Sequence, residues 1–154
     1  NNHIITANFD ADGEVESIRM IPKKYSASKS GTPFANDALE EKTHYMFFST
    51  LNSGDNIYYL YNDDEKNFSR NITNPNRYKT VTNFRECVAV IAHIDENGKL
   101  KRKELFKRED TGTLLMPKFS TEISPNEMLI FLKRKRFMAK DAFRFGILSV
   151  NAED

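Results

Sequence analysis

Apolar residues alternate with polar ones from the start of the chain. In "IITANF", Ile5, Ala7 and Phe9 take every second position, the period of a strand with one apolar face. A polar run, Asp10 to Gly13, follows, and apolar positions resume at Val15, Met20 and Ile21. The pattern returns later. Val90, Ala92 and Ile94 precede Asp95, Asn97 and Gly98, and Leu100, Leu105 and Phe106 follow. Each copy then continues with another strand, "HYMFFSTL" or "LLMPKFSTEI", and a turn, "NSGDN" or "SPNE". Each ends in a continuous apolar run, "IYYLY" or "MLIFL", which marks a strand covered on both faces. The expected fold is all-β, two four-stranded antiparallel meanders. The first repeat spans 1–62 with a polar insertion at 22–43, a polar connection spans 63–84, and the second repeat spans 85–154.

The turn residues admit a rival chemistry. A calcium loop wants oxygen ligands at alternate positions, glycine at the sixth and glutamate at the twelfth. Counted from Asn8, the positions run Asn8, Asp10, Asp12 and Gly13, but the twelfth is Arg19, which repels a cation. Counted from His93, Glu104 falls at the twelfth, but His93 is a poor first ligand for a hard cation. A hairpin turn explains both stretches: Asp and Asn bond their own backbone, and Gly supplies positive φ. No metal site is assigned.

Repeated four-stranded meanders are the blades of β-propellers. The chain resembles propeller-like proteins of the bacterial cell envelope, over roughly 3–62 and 88–150. The strand end "YLYNDDEKN" and the last strand "FRFGILSV" carry that resemblance. It implies two propeller-like blades in a periplasmic, outer-membrane-associated or extracellular setting. Propellers have about four to eight blades, so the partners would be other protein chains or missing blades of the same protein. The alternative fold is a lipocalin-like up-and-down β-barrel carrying a small apolar ligand. The chain opens on Asn1 without a Met, which reads as a processed chain or a piece of a longer one.

Composition narrows the function. The 154 residues are 39% hydrophobic, enough for one core, and 12 Phe and 6 Tyr with no Trp suit strands. No apolar run approaches the roughly 18 residues of a membrane helix. The single cysteine, Cys87, opens the apolar run "CVAVIAHI" and reads as a small buried side chain. Net charge is +1, with the N-terminal half mildly acidic and the C-terminal half mildly basic, so nucleic acid is an unlikely partner. In the insertion, "NDALEEK" could form a helical turn or two capped by Asn36 or Asp37. Asn67 and Asn71 head glycosylation sequons, which matter only in a eukaryotic secretory setting.

No nucleophile, phosphate-loop, dinucleotide or zinc motif is present, His3, His44 and His93 stand apart, and neither a catalytic residue nor a cofactor is assigned. The favoured function is a noncatalytic interaction or scaffold module in an envelope complex. The expected partner-binding residues are the basic edge Lys133, Arg134, Lys135 and Arg136 and the strand end Tyr61, Asn62, Asp63 and Asp64. The alternative is a carbohydrate-binding or glycoside-processing propeller portion. Tyr59 and Tyr61 share one strand face and would stack on a glycan, and Asp63 and Asp64 are the most suggestive carboxylates. Lys99, Lys101 and Lys103 make one face of a strand basic, a solvated edge that discourages strand aggregation.

Overall fold

A computed structural model describes residues 2–26, 43–68, 75–82, 84–134 and 141–151. The antiparallel, all-β character is as expected. Strands β1 (Ile4–Phe9) and β2 (Val15–Ile21) form a two-stranded ribbon. Strands β3 (Phe48–Ser53), β4 (Asn56–Asp64), β5 (Cys87–Ile94) and β6 (Leu100–Lys107) form a meander in that order. In the second sheet β9 (Glu127–Arg134) is central. Strand β10 (Ala142–Ser149) lies on one side of it, and β7 (Leu114–Leu115) and β8 (Thr121–Ser124) share the other.

Both candidate calcium loops are hairpin turns. Asp10 Oδ1 accepts the backbone N–H of Asp12 at 3.0 Å and of Glu14 at 2.8 Å. Asp95 Oδ1 does the same for Asn97 at 3.1 Å and Lys99 at 2.9 Å. Gly13 and Gly98 sit at φ 85° and 73°, a region most side chains avoid.

The meander and the second sheet form a sandwich. Leu51, Tyr58, Leu60, Ala89 and Ile91 pack against Leu115, Met128, Ile130 and Val150. The opposite face of the meander, Tyr59, Tyr61, Val88, Val90 and Ala92, is covered by Ile4 and Ile21 of the ribbon. A third cluster, with Tyr25, Tyr45, Val81, Phe84 and Cys87, packs on Leu114 and Met116. Strand β4 is therefore covered on both faces, and Tyr58 through Asp64 are all buried. Cys87 is buried as expected.

Four expectations need correction. The strands do not divide at the polar connection: β4 pairs with β5 across it, from Tyr58 opposite His93 to Asp64 opposite Cys87. Strands β3 and β4 thus share a sheet with β5 and β6, while β1 and β2 stand as a separate ribbon. A two-residue period specifies strand and face but leaves the neighbour open. The barrel alternative also fails: among the described residues neither sheet closes on itself. Finally, "MLIFL" is covered on one face. Met128 and Ile130 are buried while Leu129 and Phe131 are half-exposed. The "LLMPKFSTEI" strand splits into β7 and β8 around a turn at Pro117–Phe119, where proline lacks a ladder donor.

Of the insertion, Tyr25 bridges Val81 in parallel, Thr43 to Met46 form one helical turn, and residues 27–42, including the expected caps Asn36 and Asp37, lie outside the described residues.

Candidate interaction surfaces

The strand end expected to face a partner is interior. Asn62 and Asp64 point to one side of β4, Tyr61 and Asp63 to the other, as alternation demands. Asn62 Nδ2 donates to the carbonyls of Tyr45 at 3.1 Å and Leu115 at 2.9 Å, tying the meander to the second sheet. The backbone carbonyl of Asn62 accepts the Tyr25 hydroxyl. Asp63 is 1% exposed. It accepts from Arg102 Nη1 at 3.1 Å and Asn67 Nδ2 at 2.9 Å. Arg102 also donates to the carbonyls of Asn67 and Phe68, at 2.8 and 3.2 Å. Asp64 takes the Lys66 N–H at 3.0 Å and pairs with Lys79 Nζ at 2.8 Å.

This network pins the polar connection across the end of β4. The two carboxylates sit on opposite faces of the strand and are each consumed by a cation, a poor arrangement for paired acid–base work. Burial pushes Asp63 up to about 6, against the pull of Asn67 and Arg102. Tyr61 is fully buried beside them, and among the described residues its hydroxyl has no hydrogen-bond partner of ordinary geometry. Burial, then the charge of Asp63, pushes it up. Lys23 Nζ donates to the Met46 carbonyl and lies 4.6 Å above the Tyr25 ring. Burial brings it down to about 8, with Asp63 opposing. Neither expected role of Tyr61, partner contact or glycan stacking, is open to a side chain this enclosed.

Asn67, first of the sequons, is fully buried. Its Nδ2 donates to Asp63 and to the Lys79 carbonyl at 2.8 Å, and its Oδ1 accepts the Lys79 N–H at 2.7 Å. A glycan cannot occupy it in the folded chain. Asn71 lies outside the described residues.

Of the basic edge, Lys133 and Arg134 end β9, while Lys135 and Arg136 lie outside the described residues. Lys133 Nζ bonds Asp141 at 2.9 Å and sits 5.5 Å above the Phe143 ring. Tyr59 lines a polar groove of about 640 Å³ between the ribbon and the β5–β6 turn, with Asn8, Arg19, Asn56 and Asn97.

The most exposed apolar surface was missed by the sequence reading. In the ribbon, Ile5 faces Met20, Ala7 faces Ile18 and Phe9 faces Val15 across the ladder, all on one side. That side is outward: Ile5 is 70% and Ile18 60% exposed. The polar pairs Thr6–Arg19 and Asn8–Ser17 take the inner side. The second sheet repeats the inversion. Phe143, Phe145 and Ile147 of β10 stand beside Lys133, Phe131 and Leu129 of β9, and Phe145 is 77% exposed. The alternation itself is the available signal: it gives one apolar face without saying which way that face turns. No helix among the described residues is long and apolar enough to cross a membrane. No family model, curated protein or solved structure matches the chain.

Proposed function

We propose that the chain is a noncatalytic interaction module that docks through two outward apolar β faces onto other protein chains, or further segments of the same protein, in a bacterial envelope complex. One observation carries this: two ladders turn alternate large hydrophobics to solvent, β9–β10 in continuous register and β1–β2 with one register shift between Asn8 and Phe9. Lone monomers rarely expose contiguous apolar patches beyond a few hundred Å² unless they bind something. Strand β10 ends the second sheet among the described residues, and only Arg144 interrupts its run of uncharged side chains. Edges left for solvent are usually protected by charge, bulges or proline. The charged β6 looks like such an edge, and β10 does not. Lys133, paired with Asp141, closes one end of the apolar row.

The test is site-specific photo-crosslinking in the native cell, with the probe at Ile18, Phe145 or the exposed control Lys118. Adducts to one defined chain from Ile18 or Phe145, absent from Lys118, are expected. Equal adducts from all three would refute the proposal.

A second reading, glycan binding, is favoured by the polar groove itself, whose Asn8, Arg19, Asn56 and Asn97 offer amides and a charge to sugar hydroxyls, while Tyr59, 8% exposed, lines it as a largely buried ring and not as an open stacking platform. A glycan array should then lose its signal with Asn97→Ala or Tyr59→Ala. A blank array removes this reading.

A further inference from the structure

At the side where β6 lies across from the end of β10, the sandwich opens into a cleft of about 230 Å³. Strand register builds it. Tyr58, His93 and Lys101 stand in one cross-strand row, and Leu60, Ile91 and Lys103 in the next. Both rows run from apolar at the sheet centre to cationic at the β6 edge. Leu105, Leu148 and Val150 complete the apolar wall. Among the described residues no carboxylate lines the cleft. Arg102 turns its guanidinium to Asp63 on the other face, and Asp95 reaches Lys101 Nζ at 3.5 Å from the β5–β6 turn. The His93 ring lies 4.8 Å from that of Tyr58, and burial, then Lys101, hold its pKa down, so it adds a polar atom without charge at neutral pH.

We propose that this cleft binds a medium-chain carboxylate, the tail against Tyr58, Ile91, Leu148 and Val150 and the headgroup at Lys101 and Lys103. Its size sets the chain length. A cavity of about 150 Å³ holds benzene, so a tail of roughly eight carbons fills this one. A purely apolar ligand would gain nothing from the basic rim, and a small anion would leave the apolar wall wet.

The experiment is calorimetric titration of the whole chain with butanoate, hexanoate, octanoate, decanoate and octanol, below their aggregation concentrations. Affinity should rise about fourfold per buried methylene up to octanoate and then level. Octanol should bind more weakly than octanoate. Lys101 and Lys103 are both exposed residues, so Lys101→Glu with Lys103→Glu keeps the fold, checked by melting. It should weaken octanoate roughly tenfold, the scale of exposed charge pairs reversed. Lys118→Ala, exposed and absent from the cleft lining, should change nothing. Three results overturn the proposal. One is no saturable binding. Another is equal affinity for octanol and octanoate in wild type and the charge-reversed variant. The third is an equal loss of binding in Lys118→Ala, which places the effect outside the cleft.

Discussion

Arg102 is the residue on which most of the buried polar network depends. Its side chain is 6% exposed and joins Asp63 of β4 to the carbonyls of Asn67 and Phe68. Arg102→Met would strand Asp63 without its cation, and removing one partner of a buried pair costs about 3–5 kcal/mol. Asp63→Asn keeps a hydrogen-bond acceptor and should cost less, about 1–3 kcal/mol. Urea unfolding of both variants checks the order. The pH dependence has a defined sign. Asp63 is raised from 3.8 to about 6, so the native state holds its proton more tightly than the unfolded chain. Its contribution to stability is present below pH 3.8 and lost as pH rises through about 6. Lys23, lowered from 10.5 to about 8, contributes above the upper value and loses that contribution as pH falls through the lower. Asp63→Asn should therefore abolish a decline in the urea midpoint between pH 4 and 6 that Lys23→Met leaves in place. Cys87 makes a simpler prediction. Burial pushes its thiol up, the charge of Asp63 second, so a thiol reagent should label it only after unfolding. Its burial was legible from the run it opens. The roles of Asp63, Asp64 and Asn67 were not, because polar residues read as solvated until their partners Arg102 and Lys79, distant in sequence, are brought to them.

Among the elements, the ribbon and β5–β6 share one turn chemistry and opposite burial. Val90 and Ala92 of β5 are in the core, while Ile5, Ala7 and Phe9 face solvent. The pattern of alternation is the same in both. What differs is the neighbour: β5 lies between β4 and β6 with the ribbon above it, whereas the ribbon touches the meander through Ile4 and Ile21 at its base and polar side chains elsewhere. A period of two names two faces without saying which is inward. The turns were legible because their cause is local, an aspartate and a glycine within five residues. Substitutions should separate the two faces. Ile21→Ala, at a fully buried position, should cost about 2–5 kcal/mol. Ile18→Asp and Phe145→Asp, both exposed, should stay within about 0.5 kcal/mol of wild type. Thermal melts read all three.

For the whole molecule, the class of fold was readable and the assembly of its sheets was not. Antiparallel strands follow from alternation and short turns. The pairing of β4 with β5 depends on a connection whose polar residues look like linker and act as anchors. The described residues form three apolar cores and still leave two apolar faces in water, the observation behind the proposal that the chain docks onto others. Light scattering over a concentration series, with a thermal melt on the same samples, tests that claim most directly. Wild type should melt cooperatively and self-associate as concentration rises, and the double variant Ile18→Asp with Phe145→Asp should melt at the same temperature and stay monomeric. A wild-type chain that remains monomeric throughout, indistinguishable from the double variant, would contradict the account: its apolar faces would then have no tendency to dock.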